Sequence, residues 1–312
     1  MLPLFDDFLL YLKTNNFSLE TIYNYERDLR VFETFLGDSS TLFENIDKKI
    51  IAQYKAYLVS RDRKTAIKGD KSQKQLASRS VNRMLSVLRS YLKYLIEMDY
   101  KVPVPPEAIK LVKTERKHPQ VAELNELIRL IEAPSHFETD KLVNLRNRAI
   151  LEVLFSTGMR ISELVSLNRN QIDGTGRIFI MGKGKKERFV YLTQRAQYYL
   201  DQYSVVRNDN FPALFIPYSG RNVNNLRKRI STNYLQEKIK WYRDKLRINV
   251  PTSAHSLRHG FATYLAEEGA SPVAIQILLG HESLATTTRY VHASDRYAEE
   301  AHRKYHPLKE PK

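Results

Sequence analysis

His255-Ser256-Leu257-Arg258-His259, Leu279-Gly280-His281 and Thr288-Arg289-Tyr290 all fall within residues 255–290. Together they supply imidazoles, a guanidinium and a phenol, and Glu282 is the only carboxylate close to any of them. That set suits a phosphodiester. Arginine forks onto phosphate oxygens, histidine moves protons, and a tyrosine oxygen can attack phosphorus and remain attached. His255 and His259 lie four apart on an expected helix, so with His281 they also fit the spacing of a metal site. Against that reading, the glutamate of a His-Glu-x-x-His pair is missing, Arg258 places a cation on or near that face, and no carboxylate ligand is near.

Two further pieces lie upstream. Arg160 follows the helix-ending Gly158 in Thr157-Gly158-Met159-Arg160-Ile161-Ser162-Glu163-Leu164, where the chain would turn inward. With Arg258 it forms a pair of forks for the non-bridging oxygens of a phosphate, and Glu163 is placed to orient a guanidinium. Gly182-Lys183-Gly184-Lys185-Lys186 is no P-loop, because the Gly-x4-Gly-Lys-Ser/Thr spacing is absent and a strand follows. On the tip of a hairpin its glycines would let the backbone approach DNA closely.

With these residues in view, the chain resembles the tyrosine site-specific recombinases, and among them the bacterial Xer branch. The His-x-x-Arg-His, Leu-Gly-His and terminal Tyr elements match in order and spacing, with 23 residues from Arg258 to His281 and nine more to Tyr290. The likeness runs through most of the chain after residue 120. It implies a catalytic set of Arg160, Lys183, His255, Arg258 and His281 with Tyr290 as nucleophile. In that set Lys183 is the general acid for the leaving 5′ oxygen, His255 handles protons and His281 donates to the phosphate. Tyr264 and Tyr297 are the fallback nucleophiles among 19 tyrosines.

The resemblance implies site-specific strand exchange through a 3′-phosphotyrosyl intermediate, with neither metal nor ATP nor any other cofactor. Chromosome or plasmid dimer resolution is the Xer-like role. The alternatives are an integrase or transposon recombinase of the same chemistry, or a relaxing enzyme like the type IB topoisomerases. The implied partners are double-stranded DNA with paired target sites, a homo- or hetero-tetramer on that DNA, and a septal DNA translocase. The helix expected after Ser294-Asp295, with Tyr297, Ala298, Ala301 and Tyr305 on a narrow stripe, would then dock on a neighbouring protomer.

The fold expected is mainly α, a two-domain C-shaped clamp. An N-terminal four-helix core-binding domain spans 1–105, a linker 106–119, and a mostly helical catalytic domain with a small antiparallel sheet 120–312. In the first domain, apolar residues recur at helical spacing from Phe5, from Ser18 to Gly37, and from Asp47. A fourth helix from Ser78 turns Val81, Leu85, Leu88, Leu92 and Leu95 inward. Lys101-Val-Pro-Val-Pro-Pro-Glu ends the helical pattern. In the second domain, helices are expected at about 121–132, 140–156, 161–167, 194–203 and 222–246, and strands at 177–181 and 187–192.

The formal charge of +15 points to a polyanion. Residues 61–93 carry ten Lys/Arg against two Asp/Glu, and residues 221–247 carry nine against two. Arg79, Arg83 and Arg89 on the fourth helix, Lys185 and Lys186 on the hairpin, and Arg227 and Arg229 are therefore the expected phosphate contacts. No apolar run approaches the length of a membrane span, and the chain has no cysteine. Both fit a cytoplasmic protein with no membrane partner.

Overall fold

The computed structural model describes residues 1–60, 63, 75–114, 122–182, 187–225, 228–280, 299–300 and 302–308. They form two compact units, Met1–Lys117 and His118–Lys312. Lys183, Lys185, Lys186, Arg227, His281 and Tyr290 lie outside the described residues.

The first unit contains α1 (Phe5–Thr14), α2 (Leu19–Asp38), α3 (Lys48–Val59) and α4 (Ser78–Glu97). Two caps start where short polar side chains stand before an apolar period. Ser18 Oγ accepts from Thr21 N–H, and an Asp47 oxygen accepts from Ile50 N–H. Val81, Leu85, Leu88, Leu92 and Leu95 of α4 are all buried, and they pack with Tyr91 of the same helix and with Phe8, Phe32 and Tyr54 from the other segments. Each such side chain contributes roughly 1.5–3 kcal/mol before the entropy of ordering is counted.

The stretch after α4 is not a free connector on this side. Ile109 is fully buried in the same core. The Asn82 amide donates to Val112 O at 2.9 Å and its carbonyl accepts from Val112 N–H at 2.8 Å. The linker expected from residue 106 is thus packed on the first unit as far as Val112. Proline signals the end of a helix, and it does not forbid packing.

The second unit is built on α6 (Lys141–Thr157), in which every residue from Arg146 to Thr157 is buried. Around it pack α5 (Leu124–Phe137), α8 (Gln194–Val205) and α10 (Ala254–Glu267). Also present are α7 (Ile161–Ser166), α9 (Thr232–Lys245) and α11 (Pro272–Leu279). Strands β1 (Arg177–Met181) and β2 (Glu187–Tyr191) pair antiparallel, with Arg177 opposite Tyr191 and Met181 opposite Glu187. Asp140 and Ser253 cap α6 and α10 with their side chains.

Two expectations are corrected in this unit. The helix expected over 222–246 begins only at Thr232. Before it, Lys228 takes a left-handed φ of 39°, and Ile230 N–H bonds Phe215 O at 3.2 Å. The asparagines at 222, 224 and 225 favour turns over helix there. The C-terminal segment, expected to leave for a neighbouring protomer, folds onto its own unit instead. His302 and His306 are each 1% exposed and Leu308 is 6% exposed, within the second unit's core. Tyr297, Ala298 and Ala301 lie outside the described residues.

Candidate active site

The site grows from the C-terminal ends of two helices. α6 stops at Gly158, whose φ of 61° is left-handed, and a Cβ there would meet the Phe261 ring at 2.4 Å. Only glycine meets both demands. α11 stops at Gly280, with φ of 63°.

Arg258 of α10 reaches into the space between these ends. Its Nη1 donates to Gly158 O at 2.7 Å and its Nη2 to Leu279 O at 2.6 Å. It is 4% exposed and bonded to no carboxylate among the described residues. The negative ends of two helix dipoles stabilise its charge instead. Burial lowers its pKa to about 10, helped by the charges of Arg160 and Arg188 and opposed by Glu163. At neutral pH it stays a cation.

Arg160 precedes α7, and Glu163 reaches back to it. Glu163 Oε2 accepts from the Arg160 backbone N–H at 2.8 Å, and Oε1 accepts from Arg160 Nη1 at 3.0 Å. The Nε and Nη2 groups of Arg160 meet no acceptor among the described residues, and its side chain is 35% exposed. Burial of Glu163 works to raise its pKa, yet its bonds to Arg188 and Arg160 hold it below the ordinary carboxylate value.

His255 stands one turn before Arg258, its ring against His259 at 4.5 Å between centroids. Partial burial and the neighbouring His259, Arg258 and Arg160 lower its pKa, which favours the neutral imidazole. Neutral, it can accept a proton.

Three residues of the site escaped the sequence reading. Arg188, in β2, binds Glu163 with both Nη atoms at 3.0 and 2.8 Å and Leu278 O with Nε at 2.9 Å. It stood in view beside the hairpin, but no local spacing links it to partners 25 and 90 residues away. The other two are His302 and His306. His302 Nε2 donates to Ser156 O at 2.5 Å and His306 Nε2 to Phe155 O at 3.2 Å, which fastens the tail to the last turn of α6. Ser156 Oγ accepts from Thr193 N–H at 2.7 Å, so the same turn is tied to the end of the sheet as well.

Of the expected phosphate contacts, Arg79 is exposed and Arg89 half-buried. Arg83 pairs with Asp28, which is 3% exposed, so its charge offsets a buried carboxylate. Arg229 Nη1 donates to Ser166 O and Leu167 O, both at 2.9 Å, and Nη2 to Asn168. It caps the C-terminus of α7. Both already have partners within the protein, so a phosphate would compete with those oxygens for them. A run of like charge does not reveal which members have internal partners.

Residues 120–296 match the model of the phage integrase family, and residues 5–98 match the phage integrase N-terminal SAM-like domain. A tyrosine recombinase XerC of Pelobacter propionicus is 35% identical over 309 residues, covering 96% of this chain and 94% of the relative. A tyrosine recombinase XerD of Staphylococcus epidermidis is 32% identical over 298 residues, covering 93% of each. Among solved structures, a XerH site-specific recombinase bound to palindromic difH substrate shares the fold. Its TM-score is 0.67 at 23% identity, over 93% of this chain and 81% of that one. No described helix is long and apolar enough to cross a membrane. The chain belongs to the phage integrase family: it is a site-specific tyrosine recombinase, which cleaves and rejoins DNA through a tyrosine intermediate.

Proposed function

We propose that this chain is a Xer-type recombinase whose Tyr290 attacks the scissile phosphate while Arg160 and Arg258 hold the non-bridging oxygens. The observation that carries the reading is Arg258, a buried guanidinium held by two main-chain carbonyls and bonded to no carboxylate among the described residues. Beside it, Arg160 turns an Nε and an Nη2 that have no acceptor among the described residues. Two cations brought together this way repel each other, and a bound anion relieves the repulsion. The anion gains most as phosphorus becomes pentavalent and its oxygens carry more charge.

In the reaction the Tyr290 oxygen bonds to phosphorus and the bond to the 5′ oxygen breaks. Neutral His255 takes the phenolic proton, Lys183 gives a proton to the departing oxygen, and His281 donates to a phosphate oxygen. The freed 5′ hydroxyl then attacks the equivalent linkage of a partner duplex, which returns Tyr290. Exposed Arg79 and half-buried Arg89, with Lys185, Lys186 and Arg227, contact neighbouring phosphates. Paired sites held by a tetramer, in the cytoplasm, are the setting. Dimer resolution with a septal translocase is the narrower role, by likeness to the Xer relatives.

The test begins by recovering a bound site from random-sequence DNA with the Tyr290→Phe protein. The wild type is then given a nicked duplex carrying that site, from which the cut strand cannot religate. Wild type is expected to form a covalent 3′ adduct and Tyr290→Phe to bind without forming one. An adduct that persists in Tyr290→Phe, or maps to Tyr297, overturns the assignment. Relaxation of any supercoiled plasmid without paired products would favour the topoisomerase-like alternative.

A further inference from the structure

We infer that Arg188 is a positioning residue for strand cleavage, holding Arg160 and Arg258 in one fixed arrangement through Glu163 and the last turn of α11. All three nitrogen atoms of its guanidinium are engaged. Nη1 and Nη2 form a two-toothed bond with Glu163, and Nε bonds Leu278 O. Arg188 and Glu163 are 8% and 6% exposed. Each nitrogen already serves a protein oxygen and the side chain is 8% exposed, so Arg188 is placed to act through other groups.

The first route runs through Glu163. A two-toothed guanidinium fixes the plane of a carboxylate, and this carboxylate in turn holds the Arg160 side chain and backbone N–H. If Arg188 let go, Glu163 would rotate, and the Arg160 fork would rotate with it.

The second route runs through α11. Its last two carbonyls are taken by different arginines, Leu278 O by Arg188 and Leu279 O by Arg258. Together they fix the direction in which the chain enters Gly280. Gly280 also makes room, since a Cβ there would lie 3.0 Å from Arg188 Cδ and Nη1. Arg188 stands on β2, the strand that returns from the Lys183 hairpin, so it joins that hairpin to both guanidiniums. The Nε bond and the fork are separate contacts of one rigid group, which a lysine cannot reproduce.

The inference rests on Arg160 and Arg258 being the phosphate clamp, and the experiment separates the two claims. Arg188→Gln and Arg188→Lys are assayed on the nicked duplex, with a scissile phosphodiester and with a methylphosphonate. The methylphosphonate replaces one charged oxygen by methyl and needs less clamping. Both variants are expected to bind the intact site as wild type does and to cleave the phosphodiester about 10²-fold more slowly, the size of a small misplacement at a reacting centre. The ratio of methylphosphonate to phosphodiester rate should rise about tenfold or more in both. Cleavage at the wild-type rate overturns the inference. So does an equal loss on both substrates, which marks general damage, and so does full rescue by Arg188→Lys, which marks charge alone. Failure of the wild type to cleave would instead sink the clamp reading itself.

Discussion

Buried guanidiniums gather both midway along α6 and at its C-terminal end, and they are held in opposite ways. Midway along it, Glu152 accepts from Arg148 Nε at 2.9 Å and from Arg195 Nε at 2.9 and 3.1 Å. Arg195 also bonds Glu132 at 3.0 Å, and Arg148 lies 4.1 Å from the Tyr199 ring centroid. That cluster is closed, with carboxylates set against its cations. At the C-terminal end, Arg258 has carbonyls for partners and Arg160 for a neighbour. Lack of a carboxylate is not enough to make a buried arginine reactive. Arg146 also lacks one, but its Nε, Nη1 and Nη2 all donate to protein oxygens and the Tyr218 and Tyr234 rings face it. The Arg258 Nε has no acceptor among the described residues, and Arg160 stands beside it. A saturated guanidinium in this fold is structural, whereas the proposed ligands are those whose last donors are left to an anion.

The contrast can be broken most directly by exchanging arginines. Arg258→Lys keeps the charge and loses the fork, and cleavage is expected to fall about 10²–10³-fold, the usual cost of a lost transition-state donor. Its melting temperature should move by only a few degrees. Arg195→Met should do the reverse. Leaving Glu152 without a main partner costs about 3–5 kcal/mol, or roughly 10 °C in melting temperature. Below that temperature cleavage per folded molecule should stay near wild type. If Arg195→Met abolished cleavage while folded, or Arg258→Lys spared it, the middle and the C-terminal end of α6 would not differ as described.

A smaller effect should appear with pH at the tail. Burial lowers the His302 pKa to about 4, with Arg303 adding to the shift and the Ser156 bond opposing it. A group whose folded pKa is depressed stabilises the fold above its unfolded value and loses that contribution as pH falls through the folded one. Melting temperature should therefore decline between pH 6.5 and 4, and less steeply in His302→Gln. Parallel curves for the two proteins would show that the tail does not titrate through His302.

The smallest expected change sharpens the comparison at the surface. Arg79→Gln with Arg89→Gln should reduce the slope of log affinity against log salt by about 1.8 if each contacts a phosphate. Arg229→Gln should leave the slope alone and lower stability. A flattened slope in Arg229→Gln would restore that residue to the interface.

Much of this was legible in the sequence because it is local. Ser18 and Asp47 cap the helices they precede, the apolar period of α4 marks its buried face, and alternation marks β1 and β2. The resemblance named Arg160, His255 and Arg258, and the fold brings these three into one region. What stayed hidden depends on long-range partners. The Arg188 fork, the Asp28–Arg83 pair and the carbonyls that seat His302 and His306 have no signature at short spacing. The narrow stripe of the tail read as a surface for a neighbour because its anchors are histidines, which look polar until their ring nitrogens find partners. His306 shows how this works: Nε2 lies 3.2 Å from Phe155 O, and Nδ1 lies 3.1 Å from Leu308 N and 3.2 Å from Leu308 O, so both ring nitrogens have partners.

The last turn of α6 also sets when in its lifetime this protein can act. Gly158 waits for an arginine 100 residues further on, and Phe155 and Ser156 wait for histidines 151 and 146 residues away. A chain growing from its N-terminus makes α6 long before any of these partners exist, and contacts of such separation form late. A nascent or truncated polypeptide can therefore hold a folded first unit while Gly158 and Ser156 still lack their partners. If Arg258 is half of the phosphate clamp, as proposed, an unfinished copy of the enzyme cannot yet cut DNA.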